Sequence, residues 1–296
     1  MRRQLEPVII WENVVLFGMA QLYALYALYL ILTWSVKWQT VAWAVCLYFT
    51  GGAALSLGCH RLYSHRTFKA NRVFEVAVML MSTSMLQNSI IRWARDHRCH
   101  HKFVDTNADP YNAKRGLFFS HCGWLLQERH PEVIKQGRKV DISDLTGNPI
   151  LKFQHDYYGL LVLLCHNFVP SVIPVLFWNE SFWPGYFVSV PFVWVLTLHS
   201  SWFVNSIAHY KGTKPFNERS TAVDNSYLNL ITTGEGDHNF HHAFPFDCYG
   251  SEKPSLTQIG GNLVKLMACL GVLHDLKRAA PDVVARRKAK TNEKTE

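Results

Sequence analysis

The sequence predicts an all-α integral membrane protein, with four transmembrane helices in two hairpins and a cytosolic helical cap that holds a histidine-rich metal site. Three observations carry this. Apolar residues make up 49% of the 296 residues and charged residues only 18%, against about 25% charged in average soluble proteins. Four stretches approach the roughly 20 mostly apolar residues that a bilayer demands. The pattern His-x-x-His-His occurs twice, as HRCHH at 97–101 and HNFHH at 238–242, so six of the 15 histidines fall in two short stretches.

The opening stretch, MRRQLEPVIIWEN, has two arginines but no apolar run ending at a small-residue cleavage site, so no cleavable signal peptide is expected. The first span is expected at about 14–34 and the second at about 38–58, with Trp and Tyr near their ends as interfacial anchors. Their loop is tiny and carries Lys37. A long segment rich in Arg and Lys follows, the first part of the cap, at 59–156. The third span is expected at about 157–178 and the fourth at about 183–203, joined by a loop without Lys or Arg. The second part of the cap runs over 204–277, and the charged tail at 278–296 reads as loose. The whole is expected to be one membrane domain. The positive-inside rule then places both termini and the whole cap in the cytosol. A fifth apolar stretch, at 73–91, contains Glu75, Gln87 and Asn88 and reads as a helix lying at the interface or against the spans. The seven cysteines make no CxxC pair, which suits reduced thiols. The net charge of +8 suits nucleic acid, anionic lipid or a phosphorylated substrate, and charge alone does not choose among them; with the membrane spans, no nucleic-acid partner is expected.

Residues three and four apart share one face of a helix, so His97, His100 and His101 project together, as do His238, His241 and His242. Upstream, GCHRLYSHRTF adds His60 and His65, whose spacing of five puts them about 140° apart on an ideal α-helix. Either the helix ends between them or they serve different metals. NSIAHYKG adds Asn205 and His209 on one face. Nine histidines exceed the four ligands of one tetrahedral zinc and suit two metals with five or six positions each. A histidine-rich site with an open position suits iron and oxygen chemistry. Asp96, Asp105, Asp109, Glu235 and Asp237 are candidates to accept the second ring N–H of a ligand. The other histidines, His121, His130, His155, His166, His199 and His274, read as solvated or interfacial.

HRLYSH, HRCHH and HNFHH, with NSIAH before the last box and WARDHRCHHKFVDTNADPYNAKRGLFFSHCGWLL around the second, resemble the membrane fatty acyl-CoA desaturases of the stearoyl-CoA desaturase type. The resemblance covers about 11–250. It implies that the nine histidines hold a di-iron centre, two Fe ions, and that Asn205 reaches one iron through water. It implies O2 as oxidant, cytochrome b5 with its reductase as electron donor, a multi-pass place in the endoplasmic reticulum membrane, and a cis double bond introduced into a saturated fatty acyl-CoA. The delta-9 type is expected, with delta-11 among the other positions. It further implies that Gln87, Asn88, Ser201 and Trp202 bend the acyl chain beside Trp93, and that Arg95 and Asp96 hold coenzyme A. Tyr48 and Gly52 fall at the closed end of the tail tunnel, and Arg115 and Arg129 at the coenzyme phosphates. Three positions depart from the family's pattern. Ser201 keeps the hydroxyl where Thr is familiar, Glu128 stands where a second basic residue is common, and Asp237 stands where a bulky residue is common. There is no HPGG haem signature, so a separate electron donor is implied.

A related di-iron membrane hydroxylase, or a desaturase of a lipid-linked chain, is the alternative with the same oxygen chemistry. A histidine-rich metal transporter is the alternative of another class. It would need ionisable residues along a path through the spans, where His166 and His199 are the candidates.

Overall fold

Small residues decide how the first helix packs. In the computed structural model, which describes residues 8–252 and 255–293, α1 (Trp11–Leu32) buries Ala20, Ala24, Ala27 and Leu30, three or four residues apart. Leu22, Leu25 and Tyr26 face outward. A stripe of small side chains lets a neighbouring backbone come close where lipid supplies no hydrophobic drive. Residues 1–7, with the two arginines of the opening stretch, and residues 294–296 at the end of the tail lie outside the described residues.

The second long helix, α2 (Trp38–Ser64), starts as an α-helix and continues from Ala54 as a π-helix whose residues are all buried. It was expected to end near 58. It runs on because the cap encloses its last turns, so they meet protein instead of water. After the short strand β1 (Lys69–Ala70), the apolar stretch at 73–91 divides in two. Its first part is α3 (Arg72–Ser84), which packs against the π-helical turns of α2. The chain then breaks at Leu86 and Asn88, both in the left-handed region, and restarts as α4 (Ile90–Phe103). The polar Gln87 and Asn88 therefore lie at a helix break, where they are free to face a cavity. Helix α5 (Pro149–Asp156), capped by Asn148 with proline at its first turn, supports this restart. Its Gln154 Oε1 accepts from the first N–H of α4 at 2.9 Å.

The second hairpin is α6 (Tyr158–Trp178) and α7 (Phe182–His209). Among the described residues, α1, α2, α6 and α7 are the four helices long and apolar enough to cross a membrane. Both hairpin loops lie at one end and are clasped together. Buried Glu180 accepts from Lys37 N at 2.8 Å and from Thr40 Oγ1 at 2.6 Å, while Lys37 Nζ donates to the Trp178 and Asn179 carbonyls. The first span ends at Leu32 and not near 34, because Trp34 turns the chain in the left-handed region. Expected to end at 203, α7 runs to His209 and carries Asn205 with it.

Two helices complete the cap beyond residue 237: α8 (His238–Ala243) and α9 (Ile259–Cys269). Strand β2 (Leu273–His274) then pairs antiparallel with β1. The tail is a correction to the sequence reading. Residues 281–292 form α10 (Pro281–Asn292), whose Val284 packs with Phe216, Phe240 and Phe244. Arg287 donates to the Phe216 carbonyl, and Lys288 pairs with Glu252. One buried valine and two cations dock a helix that average composition reads as loose.

Candidate metal centre and substrate cavity

All nine box histidines converge, in two groups. His60, His65, His97, His101 and His241 form one, and His100, His209, His238 and His242 form the other. Within each group the ligand atoms lie within 4.8 Å of one another. Each His-x-x-His-His box is split between the groups. On α4, His97 and His101 join the first and His100 the second; on α8, His238 and His242 join the second and His241 the first. Three residues of a box share a face, but one turn of that face spans two adjacent centres. The first box follows the first of the two sequence alternatives: the helix ends at Ser64, between His60 and His65. His60 and His65 serve the same group because the local helix is π, which makes residues five apart neighbours.

The nitrogen spacing is that of ligands about a common point. Nε2–Nε2 separations are 3.0 Å for His60–His241, 2.8 Å for His65–His97 and 3.0 Å for His101–His241. In the second group His209–His238 and His238–His242 are both 3.1 Å. At a metal–nitrogen distance of about 2.1 Å, neighbouring ligands of an octahedron stand about 3.0 Å apart and those of a tetrahedron about 3.4 Å. The residues present therefore fit two metals of high coordination number. Burial, reinforced by neighbouring imidazoles, holds His65, His97, His101, His238, His241 and His242 well below the ordinary histidine range. Neutral rings leave a lone pair on each for a metal.

Three imidazoles are aimed from behind. Glu235 lies 3.0 Å from His60 Nδ1 and Asp109 lies 2.8 Å from His100 Nδ1. His209 Nδ1 donates to Thr221 Oγ1 at 2.8 Å, and that hydroxyl donates to Asp105. Each contact places the proton on Nδ1 and the lone pair on Nε2. Asp96 and Asp237 take other partners. Asp96 pairs with Arg95 at 2.9 Å and Arg129 at 2.6 Å, and Asp237 accepts from Gln258. Thr221 escaped notice because a lone threonine far from any box carries no pattern.

A cavity opens against the first group. His60 and His97 line it, together with Gly52, Gln87, Asn88, Trp93, Asp96, Arg129, Ser201, Trp202 and Asn205 among the candidate residues. Gln87 is pinned at the break after α3: its Nε2 donates to the Thr197 carbonyl at 3.2 Å and its Oε1 accepts from Ser201 Oγ at 3.0 Å. Trp93 stacks on His97 with centroids 5.1 Å apart. An adjoining pocket shares Asn88, Asp96 and Arg129 and adds Arg95, with Arg92 and Arg138 that the motifs did not single out.

Two candidates stand elsewhere. Arg115 lies over the Phe119 ring, 3.6 Å from its centroid, and lines neither space. Tyr48 also lines neither; its hydroxyl donates to the Ile231 carbonyl at 2.5 Å. The glycines separate too. A Cβ on Gly51 would collide with the Met85 side chain, so Gly51 serves close packing, while Gly52 faces the cavity with Thr233 Oγ1 behind it. Exposed Glu128 does not line the arginine pocket. Of the other histidines, His166 is buried and not solvated: its Nδ1 donates to the Ser84 carbonyl at 2.6 Å. His121 and His199 pair at 3.0 Å within the helices, and His130 caps a short helix at Pro131.

A family model for fatty acid desaturase matches residues 32–249. The Delta(9)-fatty-acid desaturase fat-6 of Caenorhabditis elegans is 43% identical over 281 residues, 94% of this chain and 82% of the relative. Stearoyl-CoA desaturase 5 of Homo sapiens is 39% identical over 285 residues, 96% of this chain and 86% of the relative. An Acyl-CoA Delta(11) desaturase of Trichoplusia ni is 38% identical over 291 residues, 96% of this chain and 81% of the relative.

Proposed function

This chain belongs to the fatty acid desaturase family, and on that basis we propose that it is an acyl-CoA desaturase of the delta-9 type. It is a multi-pass membrane oxidoreductase. The observation that carries the detailed reading is the meeting of the first histidine group with a cavity that shares Asn88, Asp96 and Arg129 with an arginine-lined pocket.

The five histidines and the four histidines would each hold one iron, with Asn205 reaching one of the two through water. When bound, the irons supply the dioxygen activation that an unactivated methylene pair requires, since an alkyl C–H offers no acidic proton to a base. The balance consumes one O2, two electrons and two protons, and yields the double bond and two waters. Cytochrome b5 is the proposed electron donor, and the endoplasmic reticulum membrane, with the histidines on its cytosolic face, the proposed location. Arg92, Arg95, Arg129 and Arg138 would bind the phosphates of coenzyme A, as guanidinium forks suit phosphate oxygens. The Gln87–Ser201–Thr197 chain fixes a polar corner at the break after α3, around which the acyl chain bends. Trp93 and Trp202 wall the bend and exclude water. Glu235, Asp109 and the Thr221–Asp105 pair keep the ligand rings in register.

The test is expression in a yeast lacking its own desaturase, with double bonds in the lipids mapped by mass spectrometry. Delta-9 products are expected. Products unsaturated at another carbon would overturn the delta-9 assignment, and hydroxylated lipids without new double bonds would overturn desaturation itself.

A further inference from the structure

Arg61 is an arginine sealed from water inside a membrane protein. It is 2% exposed and heads the large, fully buried side chains. A charge in that position is strongly unfavourable unless it is paired and hydrogen-bonded. Its partner is Glu235: Nη1 lies 2.9 Å from Oε1, and the Ser56 hydroxyl joins both side chains. Nη2 reaches the Gly234 carbonyl at 3.4 Å. The other oxygen of the same carboxylate holds His60 Nδ1 at 3.0 Å. The π-helix of α2 sets up both halves of this arrangement. Residues five apart are neighbours along it, so His60 projects to the metal group, joined by His65 in the turn that follows, while Ser56 and Arg61 project to Glu235.

The slot that contains Arg61 is closed from the C-terminal side. A Cβ on Gly260 would run into Arg61 Nη1 and stand 2.7 Å from the Thr233 carbonyl. A Cβ on Gly250, which has φ +63°, would stand 3.1 Å from Nη2. Both glycines lie beyond residue 249, where the family match ends. The same segment is tied to the first histidine box. Strand β2 pairs with β1, Lys277 N donates to the Thr67 carbonyl at 2.8 Å, and Lys277 Nζ donates to the Arg66 carbonyl at 2.7 Å.

We infer that Arg61 is a positioning residue of the metal centre: it fixes the Glu235 carboxylate, which fixes the His60 ring, and Gly250 and Gly260 fix Arg61. The inference rests on the proposed two-iron reading. Outer partners of ligating histidines commonly change metal affinity by about 10–100-fold.

The test uses the full-length protein purified in detergent, first as wild type and then as Arg61→Lys, Gly260→Ala, Glu235→Ala and the double variant Arg61→Ala/Glu235→Ala. The readouts are iron per chain, the rate of iron loss to a chelator, the Mössbauer spectrum and the melting temperature of the iron-free protein. Gly260→Ala touches no ligand; its Cβ also meets the Thr233 carbonyl, so a lower melting temperature is expected when iron-free, and the discriminating readout is iron lost about tenfold faster with one of its two iron signals altered. Arg61→Lys is expected to fall between wild type and Gly260→Ala, because an ammonium keeps the charge but not the fork. The double variant is expected to be no worse than Glu235→Ala alone, since Arg61 acts through that carboxylate. The inference is overturned by unchanged iron release and spectra in both Arg61→Lys and Gly260→Ala. It is also overturned by additive losses in the double variant, or by iron lost from Gly260→Ala with both iron signals changed alike. A wild type that holds no iron would instead remove the two-iron reading on which this rests.

Discussion

His100 and His101 are neighbours in sequence and members of different groups, as are His241 and His242. Replacing His101 or His241 with Ala should abolish the desaturated product while the protein still enters membranes, checked by lipid analysis alongside membrane fractionation. Retained product in either variant would remove that ligand from the site. The nine histidines were legible because residue type and clustering are visible in one dimension. The carboxylates behind them, Asp109 and Glu235, were legible as acids near the boxes; Thr221 and Arg61 were not, being ordinary residues until the fold sets them against His209 and Glu235. Arg115 stands apart from both spaces, over the Phe119 ring, a contact that residue type alone does not reveal. Asp224 is another residue known only from the fold. Its carboxylate accepts from Asn239 N at 2.7 Å and Phe240 N at 3.0 Å, beneath the last histidine box. Burial outweighs those bonds and pushes the group up to about 7. The folded state therefore keeps a proton that the unfolded chain releases, and stability falls as pH rises through about 7. Asp224→Asn keeps both acceptor contacts and cannot titrate. Its melting temperature should gain on that of the wild type between about pH 4 and pH 7, and parallel curves over that range would contradict the assignment.

Among the elements, the π-helical end of α2 matters most. A spacing of five residues, as between His60 and His65, reads as a mismatch on an α-helix and as adjacency at the end of a π-helix, so the chemistry was visible and its geometry was not. Span ends were displaced for a similar reason: hydropathy reports where lipid stops, and a helix continues wherever the cap encloses it. The one-turn stretch at Gly51 and Gly52 separates two roles. Gly52→Ala would add a methyl 2.5 Å from Thr233 Oγ1 on the cavity wall, and Gly51→Ala would press on the flexible end of Met85 outside it. Gly52→Ala should reduce the longest-chain product by about tenfold relative to shorter ones, with Gly51→Ala leaving the ratio alone. Product profiles from both variants decide this, and equal shifts would place the chain end elsewhere.

At the scale of the whole molecule, two hairpins are tied at one end by Glu180 and joined at the other by nine histidines drawn from α2, α4, α7, α8 and the turn after α2. The clasp is remote from the cavity, so it should affect stability alone. Glu180→Ala leaves Lys37 N and Thr40 without their acceptor and should cost about 1–3 kcal/mol, seen as a lower melting temperature with an unchanged product profile; an altered profile would show that the clasp shapes the tunnel. The four spans, their order and the shared end of the boxes were legible because bilayer length and interfacial aromatics leave strong signals. The docked tail was not, because its contacts with Phe216 and Glu252 come from a distant part of the chain. All of this architecture serves one claim, that the two imidazole groups each retain an iron. Metal analysis of the purified protein tests it most directly. About two irons per chain in the wild type, falling to about one in His238→Ala, is the result the two groups predict; a protein that retains no iron, or only one, when folded and intact would contradict it.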